Sequence, residues 1–337
     1  MKKLLAAALT GAMLVSFASC GKTDPVRNPD DYTEQTEEKT SAENKESFGG
    51  ETEAGSEAET ESSGESAEGN PDGSYHYVKV TECYDGEPEY VSKEQYLNDD
   101  GLVIKEIAYS RTSAGFTTRV FEYDSMGNLT KETKTNEDAE GPTLETVDVY
   151  YYENNVLVKM TTTTTNVRKN TVPDDMNRVI NYSYDDKGNL VRAENYYASG
   201  DFSFANDYTY DDNGYLLTDT KTNFEGTVLE RHEYKNDANG NVLEHSKFTG
   251  YDGENTLVTT YEYDKNGNVI KAVNPKLGYG YEYDADGNLL VTTCYNGKGE
   301  VISTSTNQYD SFGRITFTDF VSTQEAAFNH HITYVYE

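Results

Sequence analysis

Tyr261-Glu262-Tyr263-Asp264-Lys265-Asn266-Gly267-Asn268-Val269-Ile270 holds the plan of the domain in one short run. Tyr261 and Tyr263 flank Glu262 with period two, so both rings fall on one face of a strand and the carboxylate on the other. Asp264 can accept a hydrogen bond from a backbone N–H two residues on, which starts a type I turn. Gly267 stands where the chain needs positive φ, the type I turn followed by a bulge that joins many hairpins. Val269-Ile270 then restarts an apolar strand. The unit reads as a β-hairpin.

The same unit recurs along the 337-residue chain. Its aspartate and glycine pairs are Asp124 with Gly127, Asp185 with Gly188, Asp211 with Gly214, Asp264 with Gly267, Asp284 with Gly287 and Asp310 with Gly313. Each pair follows a tyrosine: Tyr123, Tyr184, Tyr210, Tyr263, Tyr283 and Tyr309. Three degenerate copies centre on Gly101, Asn155 and Gly240, with Asn155 as the glycine equivalent because Asn also tolerates the left-handed region. The spacings are 26, 28, 33, 26, 26, 27, 20 and 26 residues, which chance does not produce. A looser turn lies between successive motifs, at Glu140-Gly141-Pro142 and Glu225-Gly226 for example. One unit carries a long insertion, Asn166 to Arg178, and another is cut short around Pro275.

Nine tight turns and about ten loose ones predict roughly twenty antiparallel strands over residues 75–337, joined as a meander. The fold class is all-β. Open sheets rarely exceed ~10 strands without curling, so the expectation is one long curled or spiral sheet with its tyrosine face largely inward. After several turns both residues are apolar (Leu216-Leu217, Val242-Leu243, Val269-Ile270, Leu289-Leu290). Either those strand starts are covered on both sides or a bulge shifts their register.

These residues resemble the YD repeats of the Rhs family, found in bacterial wall-associated proteins, polymorphic toxins and teneurins. The resemblance covers residues 96–316 well and extends over 75–337. It implies a shell of hairpin repeats, which in large members encloses a toxin, and a role in carbohydrate binding and cell-surface contact. The chain departs from toxin-bearing members in having too few repeats for a large cocoon. It also lacks the Pro-, Gly- and Asn-rich self-cleaving segment, and ends in one last strand at Tyr334-Val335-Tyr336-Glu337. The surface-binding role is the one this resemblance leaves standing.

Residues 1–20 carry an address rather than structure. Lys2 and Lys3 precede an apolar run from Leu4 to Ala18, a signal peptide too short to span a bilayer comfortably. Ser16-Phe17-Ala18-Ser19-Cys20 resembles the lipobox of bacterial lipoproteins, although Phe17 stands where an aliphatic residue is usual. This implies lipidation of Cys20 and an outward-facing anchor in the bacterial cell membrane. Cleavage after Ala18, releasing a secreted protein, is the alternative. Residues 21–74 hold 16 acidic and 4 basic side chains with no apolar period, which predicts a disordered tether. The whole chain has a net charge of −32, which speaks against a nucleic-acid partner.

No catalytic motif stands out: there is no nucleophile elbow, phosphate loop or His-Glu-x-x-His spacing. No cofactor is called for. No metal site is expected either. The Asp-rich turns resemble calcium loops faintly, but their glycine is in the wrong place, and turn chemistry is the better reading. Cys83 and Cys294 occupy equivalent places several repeats apart, too distant for a disulfide unless the sheet closes. Tyr184, Tyr210, Tyr263 and Tyr283, with the aromatics two residues before them, would stack into rows. Those rows are either packing or a surface that binds sugar rings or another protein. The sequence-level expectation is a non-enzymatic surface lipoprotein that binds an extracellular glycan, such as cell-wall glycan, or an extracellular protein. A structural or self-associating envelope protein is the alternative, and a glycan-active enzyme is a third.

Overall fold

A computed structural model describes residues 74–171, 176–249, 255–324 and 328–337. Cys20 and nearly all of the acidic 21–74 segment lie outside the described residues. The chain divides at Ser63 and Gly64, and every described residue belongs to the second unit.

Among the described residues twenty strands follow one another. They are β1 (Tyr77–Tyr84), β2 (Tyr90–Leu97), β3 (Val103–Tyr109), β4 (Phe116–Tyr123), β5 (Leu129–Asp138), β6 (Gly141–Glu153) and β7 (Val156–Asn166). Next come β8 (Arg178–Tyr184), β9 (Leu190–Tyr197), β10 (Phe202–Tyr210), β11 (Leu216–Asn223), β12 (Val228–Asn236), β13 (Val242–Thr249) and β14 (Asn255–Tyr263). The last are β15 (Val269–Val273), β16 (Leu277–Tyr283), β17 (Leu289–Asn296), β18 (Val301–Tyr309), β19 (Ile315–Ser322) and β20 (His330–Tyr336). Each pairs antiparallel with the next, so the expected meander is present. At all nine motif turns the glycine or its equivalent has positive φ, from 65° at Asn155 to 89° at Gly287. Asn154 joins Asn155 there with φ 49°, which makes that connection a two-residue type I′ turn.

The sheet is not an open spiral. β1 also pairs with β20 from Val78 opposite Tyr336 to Tyr84 opposite His330, so the meander closes into a barrel. Backbone bonds continue past the paired strands: His76 and Tyr77 donate to the Glu337 carbonyl, and Asp85 donates to that of Asn329. The physical reason lies in the ends. β20 carries the motif's Tyr334-Val335-Tyr336 pattern, with β19 along one side and β1 along the other. Val78 and Val80, 5% and 4% exposed, lie directly across from the two tyrosines. Closure leaves no row of unpaired edge amides.

Successive hairpins are displaced along the wall. Tyr208 is opposite Asp219, which is opposite His232, two residues before Tyr234. Such a stagger tilts the strands of a closed barrel and keeps equivalent residues at one level around it. The nine tight turns therefore share one rim and the loose turns the other. The described chain begins and ends on the tight-turn rim, because Tyr77 lies beside Tyr96 and Tyr336 beside Val78.

The two faces differ. The tyrosine face holds most of the buried residues, among them Val80, Glu132, Thr164, Ala193, Asn195, Ala272 and Ser303, whereas the opposite face buries Ala205, Ser246 and Ile302 but leaves Val120, Tyr151, Leu217, Leu243 and Ile270 exposed. The crowded face is the concave one, so the tyrosines point inward as expected. Register shifts beside the tight turns, as between Glu262 and Tyr263, settle the double-apolar strand starts. The bulge turns the second aliphatic residue outward, leaving it exposed rather than covered.

A closed ring of twenty strands is roughly 35 Å across between facing backbones if round. Side chains do not fill it. Among the described residues Thr164 is the largest fully buried side chain, and the buried apolar residues are small or aliphatic. All strand pairs in extensive contact are ladder neighbours. The inner aromatics are half-buried and face the barrel interior.

Candidate functional site

The turns headed by aspartate share one wiring. In the Asp264 turn, Oδ1 accepts from the Asn266 and Asn268 backbone N–H groups at 2.8 and 2.9 Å, and Oδ2 accepts from Asn268 Nδ2 at 3.0 Å. Asp124, Asp185 and Asp284 repeat this with Asn128, Asn189 and Asn288, and Asp310 uses the Arg314 guanidinium instead. Asp211 accepts from Asn213 and Tyr215. The amide of the asparagine four residues on, with backbone N–H groups, holds the Asp124, Asp185 and Asp284 carboxyls below the usual carboxylate range. Their oxygens are spent on the turn. Among the described residues no cluster of three His, Cys, Asp or Glu side chains is arranged to hold a metal ion.

The motif tyrosine staples one hairpin to the one before it. The hydroxyls of Tyr184, Tyr210, Tyr263 and Tyr283 donate to the carbonyls of Leu157, Leu190, Val242 and Val269 at 2.7 to 2.9 Å. In the degenerate copy Asn236 takes the tyrosine's place, and its Nδ2 donates to the Leu216 carbonyl at 2.9 Å. The four tyrosines singled out from sequence thus lie together on the inner wall with their polar ends committed to backbone.

Two residues earlier the arrangement changes. Tyr150, Tyr182, Tyr208, Tyr234, Tyr261 and Tyr281 stand on β6, β8, β10, β12, β14 and β16, one level deeper into the lumen. Among the described residues none of their hydroxyls has a hydrogen-bond partner. Burial, with nearby negative charge, raises the acidities' midpoints, to about 12 for Tyr234 and Tyr281. The run is bounded on both sides. Phe121 replaces tyrosine on β4, and on β18 the position is Asn307, whose Nδ2 is tied to the Leu289 carbonyl.

Several ionic groups on the same wall are paired with one another. Arg119 Nε meets Glu132 Oε1 at 2.8 Å and reaches Glu106 at 3.6 Å. Glu230 Oε1 accepts from Lys247 Nζ at 2.8 Å and contacts His232 Nε2 at 2.5 Å, while His232 Nδ1 lies 2.7 Å from His245 Nε2. Tyr234 stacks on the His245 ring at 4.8 Å. Burial, then the neighbouring His232 and Lys247, lower the His245 pKa. No sequence spacing flagged this Glu230-His232-His245 relay. Counting outward from the Asp237 turn would have found it, since that turn sets Tyr234 opposite His245.

The outer wall is charged too. Lys131 pairs with Glu122 at 2.9 Å, Lys271 with Glu262 at 2.7 Å, and Arg192 with Glu194 at 3.0 Å. Neither face therefore presents the uncharged band that a lipid-facing barrel wall needs. Cys83 and Cys294 lie on opposite faces, paired with His331 and Tyr279 in their ladders, and form no disulfide.

No family model matches the chain, and no curated protein is similar to it in sequence. Among solved structures, a porin-like protein from Bacteroides uniformis ATCC 8492 is similar at 12% identity over 78% of this chain and 98% of its own, with a TM-score of 0.39. A second porin-like protein, from Bacteroides vulgatus ATCC 8482, gives 13% identity over 78% and 99%, with a TM-score of 0.24. The Photorhabdus luminescens Tc holotoxin pore gives 15% identity over 69% of this chain and 15% of its own, with a TM-score of 0.31.

Proposed function

We propose that the chain is an exported, non-enzymatic binding module, held to the bacterial cell membrane through Cys20, whose barrel offers its lumen to an extracellular glycan or protein. The observation that carries this reading is the unfilled interior, lined by half-exposed aromatic and polar side chains instead of a packed core. Concave surfaces with aromatic walls and a few polar groups are where ligands bind. Ion pairs on the outer wall suit an aqueous surrounding, so membrane attachment falls to the lipid and not to the strands.

Two observations weigh against the rival readings. Self-association through sheet edges has no route in a closed barrel. Inner carboxylates such as Glu132 and Glu230 are engaged in ion pairs, which favours binding over hydrolysis. The test uses two adjacent residues of β14, Thr259 facing in and Thr260 facing out. In a Cys83→Ser, Cys294→Ser background, a bulky polymer is coupled to Thr259→Cys or to Thr260→Cys. Binding to glycan arrays and exported proteins should be lost with the first adduct and kept with the second. Binding kept with both would sink the lumen reading.

A further inference from the structure

We infer that the six tyrosines from Tyr150 to Tyr281 form one binding track for a neutral, chain-like carbohydrate, a reading that rests on the lumen being the binding surface. The track is regular. Equivalent residues on every second strand stand about 10 Å apart or slightly more, so five steps run roughly 50 Å around the wall. The stagger holds them at one level. Their rings offer flat apolar faces, and their hydroxyls are half-buried donors and acceptors without protein partners.

That combination selects the ligand. A half-buried hydroxyl left unpaired when a ligand covers it is costly, so the occupant must bring hydrogen-bonding groups at short intervals along its length. A lipid chain brings none. An anionic polymer would meet a chain of net charge −32 and would find Arg119 and Lys247 on this wall already held by Glu132 and Glu230. Sugars present hydroxyls around an apolar ring face, which answers both halves of each tyrosine. The one-residue contrast inside the motif makes the assignment specific. Tyr208 has an unpartnered hydroxyl on the track, whereas Tyr210, two residues on, gives its hydroxyl to the Leu190 carbonyl. The bounded ends matter as well. Phe121 and the tied Asn307 limit the track to half the barrel, so a chain of several sugars should fill it and a disaccharide should not.

The absence of tryptophan from the chain leaves tyrosine emission as a direct reporter. The full chain is titrated with neutral linear oligosaccharides of two to six units, β-linked glucose, β-linked xylose and α-linked glucose, and with an anionic oligogalacturonate. One neutral series should quench tyrosine emission, with affinity rising at least about tenfold from dimer to hexamer, and the anionic series should not. Tyr208→Phe, which keeps the ring, should weaken hexamer binding about threefold to tenfold, and Tyr182→Phe with Tyr208→Phe should weaken it further. Tyr210→Phe should leave the affinity unchanged. Neutral binding indifferent to Tyr182 and Tyr208 overturns the track. If no neutral series binds while an exported protein does, and the Thr259 adduct blocks that protein, the carbohydrate inference fails but the lumen reading survives. If the Thr259 adduct blocks nothing that binds, both fail.

Discussion

Gly188 gives the cleanest perturbation of the repeat. Its φ is 85°, and a methyl group built there would meet no atom within 4 Å, so Gly188→Ala isolates the backbone term from crowding. Placing an ordinary residue in the left-handed region costs about 1–2 kcal/mol. Part of that is offset, because alanine has less freedom than glycine to lose on folding, about 0.4–1 kcal/mol. A net loss of about 1 kcal/mol should lower the melting temperature by about 2–4 °C for a domain of this size. Gly188→Asn should lose about half as much or less, because Asn154 and Asn155 already hold positive φ in the same barrel. Gly240→Ala should lose more than Gly188→Ala, since there the added carbon runs into the Tyr215 ring. Thermal unfolding followed by far-UV circular dichroism orders the three variants. If Gly188→Asn melts as low as Gly188→Ala, or if Gly188→Ala melts with the wild type, the left-handed glycine does not hold the hairpins.

The two tyrosines of one motif should part company in stability. Tyr263→Phe removes the bond to the Val242 carbonyl and should cost about 1 kcal/mol by urea unfolding, while Tyr261→Phe should stay within about 0.5 kcal/mol of wild type. Acid should act in two separate windows. The His245 pKa is lowered in the folded state, so its contribution is complete above about pH 6.5 and is lost as pH falls through the depressed value. His245→Gln should flatten that upper step in a melting-temperature profile, and an unchanged step would reject the assignment. The turn aspartates are also lowered, so their contribution is complete above about pH 4 and is lost only in stronger acid. Intact mass before and after reduction should be the same, since Cys83 and Cys294 face opposite sides of the wall.

The turns were legible because their chemistry is local. Asp264 and Gly267 announce an Asx-headed turn and a positive φ without reference to anything distant, and the aromatic alternation before them fixes the facing. Closure was not legible. Tyr77-Val78-Lys79-Val80 carries no motif, and its second partner, β20, lies at the far end of the chain. Only the accumulated stagger of all the hairpins decides whether those strands meet. The same holds for the tyrosines. Period two puts Tyr182 and Tyr184 on one face, but which hydroxyl reaches the Leu157 carbonyl depends on the offset between neighbouring hairpins. The relay of His232 and His245 lay between these extremes, hidden from motif spacing yet fixed by one turn.

A covalent bond across the seam gives the most direct measurement. Lys79 on β1 lies directly opposite Val335 on β20. Lys79→Cys with Val335→Cys, in the Cys83→Ser, Cys294→Ser background, should oxidise rapidly to an intramolecular disulfide in the folded protein without lowering its melting temperature, since directly paired strands bring Cα atoms within bonding range. Thiols that stay reduced in the native state, or that link only between molecules, would mean that the first and last strands never meet and that the wall is open.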